Sequence, residues 1–88
     1  MTDSELELCI AGIVARVQGQ LTAAQVSPAA GLGPDLGLDS LEVLEVILAV
    51  EDRFNFSIPD VEVAGIHSVR DLVGFAARAP TQRALKPT

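Results

Sequence analysis

At 88 residues the chain is long enough for one domain, near the lower end of what folds unaided. Hydrophobic residues make up 49%, but the aromatics are Phe54, Phe56 and Phe75 alone, so a core must come from Leu, Ile, Val and Ala, which suits packed helices. The formal charge of −6 disfavours nucleic acid as a partner, while a single cysteine (Cys9) and a single histidine (His67) exclude an internal disulfide and the usual metal frameworks.

The acidity is unevenly placed. Asp35, Asp39, Glu42, Glu45, Glu51, Asp52, Asp60 and Glu62 stand against Arg53 alone between residues 35 and 62. A confined acidic field favours basic protein surfaces as partners, although acids also serve simply to solubilise a small helical protein. The opening "MTDSELELC" is acidic and lacks the basic start of a signal peptide, and no apolar run approaches membrane-spanning length. The expected setting is the cytoplasm, away from membranes.

Residues 4–21 read as an amphipathic helix. Ser4 and Glu7 fit a capping box, and Leu6, Ile10, Ile13, Val14, Val17 and Leu21 recur at three- and four-residue steps. Cys9 lies beside that stripe and reads as a small core residue. A long connection over 22–38 comes next, broken by Pro28, Gly31, Gly33, Pro34 and Gly37 and pegged by Val26, Leu32, Leu36 and Leu38. A loop of this length in a compact domain usually has a job.

A second helix is predicted from about Asp39 to Phe54, ended by "NFSIPD". Residues 60–66 suit a short helical turn carrying Val61, Val63 and Ile66. Ser68 and Asp71 then open a last helix with Val69, Leu72, Val73 and Ala76 inward, which Pro80 is expected to end. The fold expected is therefore all-α: three longer helices and one short one, with a long loop between the first and second. Residues 1–79 would form the domain and 80–88 a flexible tail.

On a helical wheel, Val43, Val46, Ile47, Val50 and Phe54 share one arc, the natural core face. Leu41, Leu44 and Leu48 share another, ringed by Glu45, Glu51 and Asp52. So small a domain cannot bury both. Two readings stand: a wide core margin with a solvated acidic rim, or a docking face that combines apolar area with steering charge.

Ser40 sits at the first turn of this helix, behind a capping pair formed by Asp39 and Glu42. Serine at that place serves commonly as a cap, and alternatively as a modification site, where a phosphate ester would meet unpaired N–H groups and the positive end of the helix dipole. Serine-nucleophile catalysis fails for want of parts, since His67 is the lone imidazole and no glycine-flanked elbow surrounds Ser40.

The run "DLGLDSLEVLEVILAVEDRF" followed by "FSIPD" closely resembles the acyl carrier proteins of fatty-acid and polyketide synthesis. Asp39, Ser40 and Leu41 match the family's Asp-Ser-Leu hallmark at the start of the second of four helices. Ile58, Pro59 and Asp60 match its exit from that helix. Val26 and Leu32, and then Ile66, Val69 and Phe75, match apolar positions of its first loop and closing segments. The resemblance implies a covalent 4′-phosphopantetheine, taken from coenzyme A, on Ser40, with acyl groups carried as thioesters on its thiol. It implies a monomeric shuttle and not an enzyme.

The implied partners are a phosphopantetheinyl transferase and acyltransferase, ketosynthase, reductase or dehydratase enzymes with basic patches. They would meet Asp35, Leu41, Glu42, Leu44, Glu45, Leu48, Glu51 and Asp52. An attached chain would enter an interior lined by Ile47, Val50, Phe54, Ile58, Val63 and Ile66. Leu38, Arg53 and the Ala/Gly/Pro-rich loop depart from primary fatty-acid carriers, so a specialised pathway stands beside the housekeeping one. An aminoacyl or peptidyl carrier, or an unmodified interaction module of the same fold, are the alternatives.

Overall fold

A computed structural model describes the backbone of residues 2–85 and the side chains of residues 2–78. Four helices succeed one another: α1 (Asp3–Gln18), α2 (Ser40–Phe54), α3 (Asp60–Val63) and α4 (Val69–Leu85). α1 packs against both α2 and α4, and α2 also meets α4. Among the described residues no strand forms, and the one extended pairing is an isolated bridge between Gly31 and Ser68.

α1 starts earlier than expected. Thr2, not Ser4, is the cap: its hydroxyl accepts from the Glu5 N–H at 3.2 Å, and Glu5 Oε1 accepts from the Thr2 N–H at 2.8 Å. Those bonds, the backbone one foremost, hold the Glu5 carboxyl below its usual range. Both Thr2–Glu5 and Ser4–Glu7 satisfy the capping pattern, and the earlier frame adds a half-turn of helix. Gly19, at φ 90°, ends α1 three residues short of the predicted boundary, because a residue without a Cβ takes the left-handed conformation after the last turn at least cost. Leu21 therefore packs on the core from outside the helix, while Leu6, Ile10, Ile13 and Val14 form its buried stripe. Cys9 is half-buried at the stripe's edge, packed against the core and not within it.

The long connection lies on the domain. Val26, Leu32, Leu36 and Leu38 are all buried, as the pegs predicted, and one 3₁₀ turn (Ala23–Gln25) interrupts it. Its backbone is stitched to the start of α4: the Leu32 N–H donates to the His67 carbonyl at 2.7 Å, and the Arg70 N–H to the Pro28 carbonyl at 2.9 Å. The second bond satisfies one of the amides that a helix start leaves unpaired. Glycine is required at 31, since a Cβ there would come within 2.8 Å of Pro34 Cγ.

The core face of α2 is as predicted, with Val46, Ile47, Val50 and Phe54 buried and Val43 half-buried. α3 is shorter than expected, a single turn. Val61 is 87% exposed, while Ile66 is buried just beyond the turn. Ser68 and Asp71 form the expected cap of α4: the Asp71 N–H donates to Ser68 Oγ, and Asp71 Oδ2 accepts from the N–H groups of both His67 and Ser68. Val69, Leu72, Val73 and Ala76 are buried on α4. Pro80 does not end this helix, which continues to Leu85. A proline removes its own N–H and crowds the preceding turn, which weakens a helix without always stopping it. Of the expected tail, residues 86–88 lie outside the described residues.

Candidate functional site

The entry to α2 is built by the loop that precedes it. The buried Leu38 anchors the chain, and its N–H donates to the Leu32 carbonyl at 3.1 Å. Asp39 is extended and caps the helix: Oδ1 accepts from the Glu42 N–H at 2.8 Å, and Glu42 Oε1 accepts from the Asp39 N–H at 3.1 Å. Two of the four amides orphaned at the helix start are thereby satisfied, and those of Ser40 and Leu41 are left without an intrahelical acceptor.

Ser40 is the first residue of α2 and is exposed. Its hydroxyl is not the cap, because Asp39 performs that task. The common reading of a serine at this place therefore does not apply. An exposed hydroxyl beside two unpaired N–H donors at the positive end of a helix dipole is chemically suited to bear a phosphodiester. Asp39→Ala is expected to cost about 1 kcal/mol of stability, the usual worth of a cap, seen as a lower urea midpoint at unchanged slope.

The second stripe of α2 is open to solvent: Leu41 is 66% exposed, Leu44 44% and Leu48 55%. A wide core margin would have buried it. Glu45 and Asp52 are exposed beside it. Three other acids expected on the docking face accept bonds from the chain's own backbone. Asp35 Oδ2 takes the Gly31 N–H at 2.7 Å, Glu42 takes that of Asp39, and Glu51 Oε2 takes that of Ile58 at 2.6 Å. The helical wheel placed Glu51 beside the stripe and the family resemblance added Asp35 and Glu42, but neither carried a signal for where each carboxylate turns.

The six residues expected around an acyl chain are brought together. Ile47, Val50, Phe54, Ile58 and Ile66 are buried in one cluster, with Val63 packed partly against it. His67 is exposed, and its backbone is engaged with Leu32 and Asp71. Among the described residues, no group of three or more His, Cys, Asp or Glu side chains converges as a metal site, and no helix is long and apolar enough to cross a membrane.

Comparison with known families matches residues 10–76 to the phosphopantetheine attachment site. The chain belongs to that family. The match covers the stitched loop, all of α2 and α4 as far as Ala76. Among its relatives, an acyl carrier protein of Helicobacter pylori (strain J99) is 47% identical over 58 residues, 66% of this chain and 74% of that protein. Acyl carrier protein 2, mitochondrial, of Arabidopsis thaliana is 46% identical over 56 residues, 64% of this chain and 44% of that one. The meromycolate extension acyl carrier protein of Mycobacterium bovis is 32% identical over 75 residues, 85% of this chain and 64% of that one. The aligned segment thus spans less than half of the plant protein and about three quarters of the Helicobacter one. As a member of the phosphopantetheine carriers the chain is an acyl carrier protein by family, with 4′-phosphopantetheine as its cofactor and no catalytic role of its own.

Proposed function

We propose that Ser40 is the attachment point of 4′-phosphopantetheine and that the chain presents acyl groups to fatty-acid or polyketide biosynthetic enzymes. The observation that carries this reading is the exposed Ser40 hydroxyl, freed from capping by Asp39 at the first residue of α2. During loading, Ser40 Oγ loses its proton and bonds to the phosphorus that carries the pantetheine, with release of the adenosine bisphosphate half of coenzyme A. The arm, once bound, supplies a thiol that holds acyl groups as thioesters. The chain's own residues would hold it: Leu38 and the Asp39–Glu42 box fix where α2 begins, and the Ser40 and Leu41 amides, without an intrahelical acceptor, would be available to its phosphate.

The transferase and the acyl-processing enzymes are proposed to dock on Leu41, Leu44 and Leu48, steered by Glu45 and Asp52. Three exposed leucines beside two exposed carboxylates match a partner with an apolar socket in a basic rim. Glu45→Lys is expected to raise a partner's KM for the carrier about tenfold at low ionic strength, a factor that corresponds to about 1.4 kcal/mol. The effect should shrink at high salt as the charges are screened, with an unchanged circular dichroism spectrum. An unaltered KM would assign these acids to solubility alone.

The central test of the function is loading. Incubation with coenzyme A, magnesium and a broad-specificity phosphopantetheinyl transferase should add one phosphopantetheine to the intact mass. No gain would refute the assignment.

A further inference from the structure

We infer that Glu51 is a positioning residue, whose carboxylate ties the end of α2 to Ile58 and so holds the segment leading into α3. This inference rests on the proposed carrier function only in its consequence for partner docking. The tie itself is a property of the unmodified chain.

Glu51 Oε2 accepts from the Ile58 N–H at 2.6 Å across seven residues, and the group is partly buried. Every other side-chain bond to backbone among the described residues joins groups at most four residues apart. The backbone of the same residue is equally committed: the Glu51 carbonyl accepts from the Asn55 N–H and from the Phe56 N–H at 3.1 Å. One residue thus satisfies three amides of the segment that leaves α2 through Asn55, at φ 55°. Phe56 and Ile58, on either side of the exposed Ser57, are both buried.

The Ile58 amide belongs to a buried residue that lies in no helix. Without the carboxylate it would be a donor cut off from a partner, which costs more than an ordinary hydrogen bond is worth. Pro59 comes next and has no N–H to offer, so this bond is the last tether before α3. Glu51 also stands three residues beyond Leu48, where sequence patterning counts it with the docking acids. Its direction separates it from Glu45 and Asp52, because its carboxylate is spent on its own chain.

Two conservative substitutions part the readings. Glu51→Gln keeps the length and an acceptor oxygen but removes the charge. Glu51→Asp keeps the charge but falls one methylene short. Amide hydrogen exchange at Ile58, followed by NMR on the unmodified protein, should quicken about tenfold or more in Glu51→Asp and stay near wild type in Glu51→Gln. In a partner assay, Glu51→Gln should retain the wild-type KM, unlike Glu45→Lys. Wild-type exchange at Ile58 in Glu51→Asp, or equal quickening in both variants, overturns the inference. So does a raised KM in Glu51→Gln, which would return the residue to the docking face. The exchange result does not involve Ser40, so failure of loading would count against the carrier reading alone.

Discussion

Ser40→Ala is expected to abolish phosphopantetheine loading completely while leaving the helical fold intact. Both halves come from the same geometry. Alanine has no oxygen to bond to phosphorus, so the loss is of a reacting atom and not of affinity, and more enzyme or longer incubation should not restore it. The fold should survive because the Ser40 side chain is exposed and Asp39, not Ser40, caps α2. Alanine is also the better helix former, so the change in stability should stay within about 0.5 kcal/mol. Intact mass after transferase treatment and a urea melt measure the two parts. A mass gain that persists in the variant would move the attachment to another hydroxyl. Ser68 is a poor candidate, since its Oγ accepts from Asp71 in the α4 cap. Biological activity that survives Ser40→Ala would instead favour an unmodified interaction module.

Phe56→Ala should be the most damaging single change to the fold. Phe56 is 1% exposed and among the largest fully buried side chains in a core otherwise built mainly from aliphatic residues. Removing a buried phenyl ring loses its transfer free energy and leaves a cavity, together about 3–5 kcal/mol. The neighbouring chain cannot easily move in to fill it, because Glu51 ties both sides of the residue and Pro59 stiffens the entry to α3. Against a typical total of about 5–15 kcal/mol, such a loss would lower the melting temperature of a domain this size by about 15–30 °C. Leu48→Ala is the internal control. Leu48 is large and apolar but 55% exposed, so its removal should change stability little and act instead on partner binding. A thermal melt by circular dichroism decides the matter. Phe56→Ala melting with the wild type would mean that its ring contributes far less to the core than its burial implies.

The contrast between Phe56 and Leu48 marks where sequence reasoning reaches and where it stops. Periodicity separated two apolar arcs on α2, and the Asp39–Glu42 and Ser68–Asp71 boxes were found because capping is local, acting over three residues. Periodicity left open whether Leu41, Leu44 and Leu48 are a core margin or a surface. That depends on what packs beside α2, and α1 and α4 occupy only its other side. The early start of α1 was hidden for a different reason. Thr2–Glu5 and Ser4–Glu7 are overlapping frames of one pattern, and nothing local ranks them. The exposure of Val61 was not legible, because a single turn carries too little periodicity to define a face.

By itself the sequence determined an all-α domain, a serine at the mouth of its second helix, the core arc of that helix and the motif that places the chain among the phosphopantetheine carriers. These rest on helical spacing, on short-range capping and on a run of residues in fixed order, all readable along one line. Tertiary structure alone decided the rest. It stitched Leu32 to His67 and Pro28 to Arg70, exposed the leucine stripe and turned Glu51 inward onto Ile58. Each of these is a choice of partner for a donor, an acceptor or an apolar face. Where the partner is distant in the chain, or where several compete at short range, the choice is made only when the helices pack.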